Sequence, residues 1–357
     1  MIPTFNSPES AREANEASHP MFLAPNSCFM KPSVDQMHQR TPPVGWHMRV
    51  FVTGGSGFIG SHVCETLLAQ GIEVISFDNH SSGKNRISGI THIEGDICNL
   101  QRLEKAMHGC THIAHLAALA SVPASVADPE LSESINLHGT LNVIEAAKAN
   151  GIKRIVFSST AAVYGNTSEY PVTESTATSC LSPYAEDKLA AEAALLSSGL
   201  EVILLRYFNV HGPRQDPKGA YAAVIPSFID SLMNHKSPRI FGTGEATRDY
   251  VRVQDVAEIN LLALTAENND AVSQVYNVAS GSTVSVLELF ETIRDLLSEK
   301  DESISAIAAD FSPPRDGDIL HSSASIDKAR ELLKFNPETD HRLALQATVE
   351  AYWDQRV

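Results

Sequence analysis

The stretch Thr53-Gly-Gly-Ser-Gly-Phe-Ile-Gly60 follows a short apolar run and leads into a segment with helical apolar spacing. It places Gly54, Gly57 and Gly60 at GxxGxxG spacing. Glycines in this pattern allow a tight turn after a strand, close approach of a pyrophosphate to a helix N-terminus, and close packing of that helix on the strand. The stretch therefore predicts the first strand-to-helix turn of a dinucleotide-binding fold.

Two aspartates on the next strands indicate which dinucleotide is bound. Asp78 ends the second predicted strand, 18 residues after Gly60. A carboxylate at that place accepts hydrogen bonds from the adenosine ribose hydroxyls and repels a 2′-phosphate, which predicts NAD rather than NADP. Asp96 and Ile97 follow the third predicted strand and are expected beside the adenine. The alternative for Asp96 is an N-cap of the next helix.

Short apolar runs alternate with helix-like segments from Arg49 to Tyr207. This alternation predicts an α/β fold with a Rossmann-like doubly wound parallel sheet covered on both faces. The predicted strands are Arg49–Thr53, Glu73–Phe77, His92–Glu94, His112–His115, Arg154–Ser158 and Val202–Tyr207. Helices are predicted near 58–70, 99–108, 128–149 and 185–198, and in the second half near 222–235, 254–266, 285–299 and 341–354.

Loops rich in Gly and Pro follow Tyr207, and they predict a smaller, mixed α/β lobe that supplies the substrate pocket. We expect residues 48–210, with later returning segments, to form the NAD-binding domain and 211–357 to form mainly the substrate-binding lobe. Residues 1–47 contain seven prolines and no apolar period, so they are predicted to be a disordered leader. Either an upstream start codon adds this leader to an enzyme of 310 residues, or the leader is a genuine tail.

The chain of 357 residues is acidic, with 27 Lys and Arg against 43 Asp and Glu and a net charge of −16. Such a surface repels phosphate backbones, so nucleic acids and anionic membranes are not expected as partners. The sequence contains neither an apolar run of about 18 residues nor a signal-peptide pattern, which predicts a soluble cytoplasmic protein. Reduced thiols and no metal site are expected because the cysteines are scattered without CxxC spacing and the histidines form no ligand cluster. The cysteines are Cys28, Cys64, Cys98, Cys110 and Cys180.

The segment Tyr184-Ala-Glu-Asp-Lys188 places a phenol and an ammonium group one helical turn apart on the same helix face. A nearby ammonium group stabilises a phenolate and lowers the pKa of the tyrosine, as a general base for a hydroxyl group requires. Thr160 precedes Tyr184 by 24 residues, in Ser158-Ser-Thr-Ala-Ala-Val-Tyr-Gly165 at the end of a predicted strand. Its hydroxyl is expected to bond the reacting oxygen and pass a proton to the phenolate. An ordinary polar strand exit is the alternative for these hydroxyl residues.

With these motifs in order, residues 48–357 resemble the extended short-chain dehydrogenase/reductase family of NAD-dependent epimerases and dehydratases, and within it the UDP-hexose 4-epimerases. The resemblance implies a nucleotide-sugar isomerase that acts on a UDP-sugar through a transient 4-keto intermediate. It implies tightly bound NAD that each cycle regenerates, and a homodimer formed by helices 99–108 or 128–149 with 185–198. Ten motifs carry it: TGGSGFIG at 53–60, FDN at 77–79, GDI at 95–97, HLAALASV at 115–122, NLHGT at 136–140, SSTAAVYG at 158–165, YAEDK at 184–188, RYFNVHGPRQDP at 206–217, RDYVRVQDVA at 248–257 and RDGD at 315–318.

The same resemblance implies roles for individual side chains. The implied catalytic set is Thr160, Tyr184 and Lys188. The implied cofactor-binding residues are Gly54, Gly57, Phe58, Ile59, Gly60, Asp78, Asn79, Asp96, Ile97, Leu116, Ala117, Ala118, Asn136, Tyr184, Lys188 and Phe208. The implied substrate-binding residues are Ala120, Ser121, Ser159, Thr160, Asn209, Ala223, Val224, Arg248, Arg315, Asp318 and Ser322. Arg248 and Arg315 are expected to pair with the diphosphate, and surface ion pairs are the alternative for each.

Three positions bear on the size of the sugar. Similar epimerases that are restricted to unsubstituted hexoses carry bulky or long side chains where this sequence has Ala120, Ala223 and Ser322. Small side chains leave room for a 2-acetamido group, and RQDPKGAYAAVIP at 214–226 resembles the branch that interconverts UDP-GlcNAc and UDP-GalNAc. A small residue does not exclude a smaller sugar, so UDP-glucose and UDP-galactose are expected as a second substrate pair.

Three other functions are alternatives to 4-epimerisation of a UDP-sugar. A 4,6-dehydratase normally has Asp-Glu directly after the catalytic hydroxyl, whereas this chain has Ala161 and Ala162. Epimerisation or decarboxylation of UDP-glucuronate uses the same oxidation at C4 and stays open as the alternative. A non-catalytic NAD-binding regulatory protein is less favoured, because such proteins can lose the Tyr, Lys and hydroxyl set that is complete here.

Overall fold

A computed structural model describes residues 48–216, 223–314 and 320–356 of the protein. The strands are β1 (Arg49–Thr53), β2 (Glu73–Asp78), β3 (Thr91–Glu94), β4 (His112–His115), β5 (Arg154–Thr160), β6 (Glu201–Tyr207), β7 (Asn209–His211), β8 (Arg239–Phe241), β9 (Thr247–Arg248), β10 (Tyr250–Arg252), β11 (Gln274–Val278), β12 (Val284–Ser285) and β13 (Asp310–Ser312). Seven of them form the central sheet in the order β11-β6-β5-β4-β1-β2-β3, and all neighbours in it are parallel. The other six form two-stranded pairs, β10-β7, β12-β9 and β13-β8.

Helices cover both faces of this sheet. The α-helices of the described residues, including those that lie away from the sheet, are α1 (Phe58–Ala69), α2 (Leu100–Ala106), α3 (Val122–Ala127), α4 (Pro129–Glu133), α5 (Gly139–Ala149), α6 (Pro183–Leu196), α7 (Val224–Met233), α8 (Val253–Leu264), α9 (Val286–Ser298), α10 (Asp327–Leu333) and α11 (His341–Asp354). A π-helical turn, Ser134–His138, joins α4 to α5. Short 3-10 turns lie at Ala161–Tyr164, Asn269–Ala271 and Glu302–Ala306.

The two faces of the sheet belong to two apolar cores. Along β1, Val50 and Val52 pack with α1, α8 and α10, while Phe51 between them packs with α2, α5 and α6. All three side chains are 0% exposed. This follows from the alternation of successive strand residues between the faces, and a parallel sheet buried on both faces needs apolar residues at every position.

A third apolar core lies in the second half of the chain, among α7, α9 and α11. Phe228 of α7 and Phe290 of α9 meet there edge to face, with ring centroids 6.1 Å apart. Ser285 caps α9 in a capping box with Glu288, so the helix begins at a defined residue. The helices of the second half therefore pack around an apolar core of their own.

The predicted α/β fold with a Rossmann-like parallel sheet is confirmed, and each predicted strand and helix is present with described ends within two residues of the prediction. The helix expected over 128–149 consists of α4, the π-helical turn and α5. The sequence analysis missed β11, which completes the sheet next to β6, and the short helices α3 and α10. The division at residue 210 stays a prediction. The proposed leader, residues 1–47, lies outside the described residues.

Candidate active site

The turn between β1 and α1 is shaped to receive a phosphate group. Gly54 has a φ of +72°, and its N–H donates a hydrogen bond to the Phe77 carbonyl at 2.8 Å. A Cβ on Gly60 would lie 2.0 Å from the carbonyl oxygen of Gly54, so only glycine fits there. Gly57, the N-cap of α1, has no side chain with which to cap the helix. The N–H groups of the first helical turn are therefore left to bind an anion.

Asp78 lies beside this turn, at the carboxyl end of β2. Its carboxylate accepts hydrogen bonds from the N–H of Ser56 at 2.9 Å and from the N–H of His80 at 2.7 Å. The bond to Ser56 holds the carboxylate against the glycine-rich turn. An acceptor in this place suits the two ribose hydroxyls of adenosine and disfavours a 2′-phosphate.

Asp96 lies at the end of β3 and is hydrogen-bonded to Asn79. The Asp96 carboxylate accepts from Asn79 Nδ2 at 2.9 Å and from the N–H of Cys98 at 2.8 Å. Although burial acts in the opposite direction, these hydrogen bonds hold the pKa of Asp96 below its ordinary value. The N-cap of α2 is Asn99, whose side chain accepts from the N–H of Arg102 at 3.0 Å. The alternative reading of Asp96 as that N-cap is therefore wrong.

Residues 116–119, the loop after β4, lie against the glycine-rich turn. A Cβ on Gly54 would come within 2.7 Å of the Ala117 nitrogen. The N–H of Leu119 donates to Asn136 Oδ1 at 2.8 Å, and Asn136 lies in the π-helical turn. Such turns occur frequently at functional sites. Of the remaining predicted cofactor residues, the buried ones are Ile97 and Phe208 and the half-buried ones are Phe58, Ile59, Leu116 and Ala118.

The three predicted catalytic residues come together where β5 ends and α6 begins. Thr160 is the last residue of β5, and its hydroxyl lies near enough to the phenol of Tyr184 to act on the pKa of that phenol. Lys188, one turn later in α6, is 2% exposed. Its Nζ donates to the Ser158 carbonyl at 2.9 Å and lies 4.6 Å from the centroid of the Phe157 ring.

Burial dominates the proton affinities of this site. It raises the pKa of Tyr184 to about 12, against the hydrogen bond from Thr160 that lowers it. It lowers the pKa of Lys188 to about 8, while the charges of Glu192 and Asp187 act in the opposite direction. The expectation that Lys188 lowers the pKa of Tyr184 is wrong for the protein chain by itself. The reason is that the ammonium group binds the Ser158 carbonyl while desolvation disfavours the phenolate.

The start of α6 is held by a serine that the sequence analysis did not single out. The Oγ of Ser125 in α3 accepts a hydrogen bond from the backbone N–H of Tyr184 at 3.1 Å and donates to the Val122 carbonyl at 2.7 Å. Ser121 caps α3 by accepting from the N–H of Ala124 at 3.2 Å. The early proline that follows Ser121 is the signal that could have predicted this helix. A contact between Ser121 and substrate stays a prediction.

A buried ion pair lies behind the predicted catalytic residues. Glu192 accepts two hydrogen bonds from the Arg206 guanidinium, at 2.9 and 2.6 Å, and Arg206 lies 4.8 Å from the centroid of the Tyr164 ring. The hydroxyl of Ser159 donates to Glu192 at 2.5 Å. Ser159 is 3% exposed, so its predicted contact with substrate also stays a prediction.

Two predicted substrate residues, Arg248 and Ser322, meet at β9. The N–H of Ser322 donates to the Thr247 carbonyl at 3.1 Å. Arg248 Nη1 donates to the same carbonyl at 2.8 Å and to the Leu320 carbonyl at 3.4 Å. Arg315 and Asp318 lie outside the described residues. Ala120 and Ala223 are exposed, and Val224 begins α7.

Asn209 reaches the same region from β7. Its Nδ2 donates to the backbone carbonyl of Asp249 at 2.8 Å. The Asp249 side chain, at 0% exposed, accepts from the N–H and the hydroxyl of Ser280, each at 2.7 Å, and from the N–H of Gly281 at 3.0 Å. Burial raises the pKa of Asp249 to about 6, against these hydrogen bonds. Asp249 was not recognised from the sequence, because a charged residue beside Arg248 reads as exposed.

Three comparisons with known proteins agree with this geometry. A family model described as the NAD dependent epimerase/dehydratase family matches residues 50–279. UDP-glucose 4-epimerase of Mycolicibacterium smegmatis is 34% identical over 318 residues, which cover 85% of this chain and 98% of that protein. The chain belongs to the NAD dependent epimerase/dehydratase family.

Solved structures of similar proteins match the whole described fold. The UDP-N-acetylglucosamine 4-epimerase of Methanobrevibacter ruminantium, in complex with UDP-N-acetylmuramic acid, is 40% identical with a TM-score of 0.80, covering 86% of this chain and 99% of its own. UDP-glucose 4-epimerase of Thermus thermophilus in complex with NAD is 36% identical with a TM-score of 0.75, covering 86% of this chain and 99% of its own. This epimerase/dehydratase family member is an NAD-dependent isomerase, as its sequence motifs predicted.

The described residues of the family member fit NAD. The glycines of the β1–α1 turn leave a cradle that a Cβ at position 60 would fill, and the Asp78 carboxylate stands beside it. Asn136 and residues 116–119 would border the remaining part of the dinucleotide. Within residues 48–216, 223–314 and 320–356, no three His, Cys, Asp or Glu side chains are grouped to hold a metal ion. In the same ranges, every helix is too short or too polar to cross a membrane.

Proposed function

We propose that the protein is a 4-epimerase of UDP-sugars that interconverts UDP-GlcNAc and UDP-GalNAc, with UDP-glucose and UDP-galactose as a second substrate pair. The observation that carries the reaction type is the grouping of Thr160, Tyr184 and Lys188 at the carboxyl end of β5. A phenol, a hydroxyl and an ammonium group in this arrangement can move one proton on and off a sugar hydroxyl.

Each residue has a distinct part in that proton transfer. Tyr184, in its phenolate form, accepts the proton of the sugar 4-hydroxyl, and Thr160 beside it connects it to the reacting oxygen. Burial disfavours that phenolate in the protein chain by itself, so it would form in the complex with NAD and sugar. Lys188, one helical turn after Tyr184, is hydrogen-bonded to the Ser158 carbonyl, and its part is to hold the bound cofactor and to add positive charge to the site. NAD, when bound, supplies the hydride acceptor, and in its reduced form the hydride donor, for carbon C4 of the sugar. The proton returns from Tyr184 to the same oxygen after the sugar has turned over in the pocket.

The proposed preference for acetamido sugars depends on the small side chain of Ser322, next to a residue that would bind the diphosphate. Ser322 is hydrogen-bonded to the backbone beside Arg248, the residue proposed to bind the diphosphate. A small side chain at this position leaves space where a larger one would exclude a 2-acetamido group. The solved UDP-N-acetylglucosamine 4-epimerase, at 40% identity, supports the same substrate pair.

Other reactions of the same family are less consistent with the site. Ala161 and Ala162 follow Thr160 in the 3-10 turn, so the acid pair that would eliminate water from a 4-keto sugar has no carboxylate here. Conversion of UDP-glucuronate is one outcome of the test below, because its oxidation at C4 needs the same three residues.

We also propose a homodimer in the cytoplasm. Val126 of α3, Leu131 of α4 and Leu141 of α5 are 62%, 47% and 37% exposed, which gives apolar side chains on consecutive helices for a second copy to cover. The four described cysteines are free thiols, as expected in a reducing compartment. Light scattering that gives the mass of one chain would contradict the dimer.

The function is tested by incubating the purified protein separately with UDP-GlcNAc, UDP-glucose and UDP-glucuronate, without added reductant, and resolving the products by chromatography. We expect UDP-GalNAc from the first and UDP-galactose from the second. Release of carbon dioxide or formation of UDP-galacturonate from the third would favour the alternative. Failure to convert any of the three sugars would contradict the proposal.

A further inference from the structure

The buried histidine at the end of β4 joins two parts of the cofactor site. His115 is 0% exposed and follows Ala114 on the strand next to the glycine-rich turn. Its Nδ1 lies 2.7 Å from the hydroxyl of Thr53, and its Nε2 lies 3.0 Å from the hydroxyl of Thr140 in α5. Both ring nitrogens are therefore engaged inside the protein.

The neighbouring groups determine which nitrogen carries the proton. The Thr140 hydroxyl lies 2.6 Å from the backbone carbonyl of Asn136, which can only accept, so Thr140 donates its single proton there. Its oxygen must then accept from His115, which requires a proton on Nε2. Hydrogen-bond donation thus runs from His115 to Thr140 and on to Asn136.

The hydrogen bonds of Thr53 determine the protonation state of the other nitrogen, Nδ1. Thr53 Oγ accepts a hydrogen bond from the N–H of Ala117 at 3.2 Å and shares the N–H of Leu116, also at 3.2 Å, with the Thr53 carbonyl at 3.1 Å. These two contacts occupy the lone pairs of the hydroxyl, so its proton points to His115 Nδ1, which must be unprotonated. A protonated imidazole would place a third donor on the same oxygen. Burial and the charge of Lys188 also lower the pKa of His115 to about 3, which keeps the ring neutral.

The hydrogen bonds of His115 act on the loop 116–119, which borders the NAD site. The ring accepts the proton of the Thr53 hydroxyl, which leaves the Thr53 oxygen free to accept from the N–H groups of Leu116 and Ala117. At its other end it holds the π-helical turn in which Asn136 binds the N–H of Leu119 at 2.8 Å. The same loop is thus tied at its start through Thr53 and at its end through Asn136.

We propose that His115, as a neutral imidazole protonated on Nε2, is a positioning residue that fixes the loop 116–119 against the glycine-rich turn and so preorganises the NAD site. The proposal concerns cofactor binding and does not depend on which sugar is the substrate. His115 itself contacts Thr53 and Thr140, and its effect on NAD passes through them.

The protonation state is tested on the unmodified full-length protein. Nitrogen-15 labelling of histidine with long-range proton correlation separates the two ring nitrogens, and the spectrum of His115→Asn identifies the signals among 14 histidines. We expect a neutral ring with the proton on Nε2 at neutral pH, with and without NAD. A proton on Nδ1, or a charged ring, would overturn the assignment.

The positioning role is tested with three variants. His115→Phe keeps a flat aromatic ring, somewhat larger than imidazole, and loses both hydrogen bonds, whereas His115→Asn keeps an acceptor near the position of Nδ1 with a smaller volume. His112→Phe is the matched control, because His112 lies on the same strand at 6% exposure and binds the Thr111 hydroxyl at 2.8 Å, at the other end of β4. NAD affinity is measured by calorimetry on stripped protein, together with the melting temperature of each variant.

We expect His115→Phe to raise the Kd for NAD about tenfold and His115→Asn to raise it less. The control should lose thermal stability while keeping the Kd within about twofold of the parent protein. NAD affinities that simply follow the melting temperatures across the three variants would show a general structural role and overturn the proposal. If His115→Phe does not fold, the spectrum of the parent protein and the affinity of His115→Asn still decide it.

Discussion

The ammonium group of Lys188 donates to the carbonyl of Ser158 at 2.9 Å, and this bond holds a charged group in a place that is only 2% exposed. One carbonyl and one aromatic ring replace the water that surrounds a lysine on the surface. The pKa of Lys188 falls from 10.5 to about 8 because burial disfavours its charge. At neutral pH the folded protein therefore carries a buried cation that reduces its stability.

Lys188→Met should abolish epimerisation and yet raise the free energy of unfolding at pH 7 by about 1–3 kcal/mol. The unfolded chain binds the proton more tightly than the folded one, so the parent protein gains stability as the pH rises from about 8 to 10.5. The difference between variant and parent should shrink over the same window. Denaturant unfolding at pH 7 and pH 9.5 measures both effects, and a variant less stable than the parent at pH 7 would contradict this account.

Tyr184→Phe should lower the rate of epimerisation by about 10²–10⁴-fold, because it removes the group that takes the proton. The fold and the NAD content should be unchanged. Tyr276→Phe is the control, since the Tyr276 hydroxyl is also buried and donates to the Ala271 carbonyl at 2.8 Å, away from Thr160. Equal loss of rate in both variants would indicate a general effect of removing a buried phenol.

Glu192→Gln should destabilise the protein by about 3 kcal/mol, because it leaves the Arg206 guanidinium buried without its carboxylate. The double variant with Arg206→Met should recover part of that loss. Arg342→Ala breaks the exposed ion pair with Glu299 and should cost less than about 0.5 kcal/mol. Thermal or denaturant unfolding measures all three, and a double variant that is no more stable than Glu192→Gln would contradict the explanation.

Two glycines of the phosphate-binding turn should respond differently to alanine. Gly60→Ala should destabilise the fold by about 2 kcal/mol or more, because its Cβ would lie 2.0 Å from the Gly54 carbonyl oxygen. At Gly57 the same oxygen would be 3.2 Å away and φ is −75°, so Gly57→Ala should fold normally. Its methyl group should instead weaken NAD binding about tenfold by obstructing the phosphate. Equal stability of the two variants in a melting experiment would argue against the packing explanation.

Ser322→Tyr should suppress conversion of UDP-GlcNAc at least about tenfold more than conversion of UDP-glucose. The physical reason is that a phenol beside Arg248 occupies the space needed by the acetamido group. The ratio of kcat/KM for the two sugars is measured on one preparation, so that a general loss of activity cancels. An equal loss on both sugars would show that Ser322 does not form the pocket wall.

Local sequence patterns were sufficient for the strands and helices of the first half of the fold, such as β1 and α6. The catalytic roles of Thr160, Tyr184 and Lys188 were implied by the family resemblance and stay a prediction. The positioning groups were not predictable in this way, because Ser125 and Asp249 act through contacts with residues distant in the sequence. A serine or an aspartate has the same local signature whether its side chain is exposed or buried.

The pKa of Tyr184 was missed for a related reason. A spacing of four residues places Lys188 on the same face of α6 as Tyr184, but the direction of its ammonium group depends on the Ser158 carbonyl in β5. The strand β11 was missed because Gln274 and Asn277 interrupt its sequence, Gln274-Val-Tyr-Asn-Val278, and leave only two adjacent apolar residues.

The position of β11 also bears on how the chain reaches its native state. β6 pairs with β5 on one side and with β11 on the other, and β11 begins 67 residues after β6 ends. During synthesis, β6 is an edge strand with unpaired N–H and C=O groups until β11, which ends at Val278, has left the ribosome and can pair with it. A fragment that stops near residue 210 would keep that edge permanently open, and we expect it to aggregate.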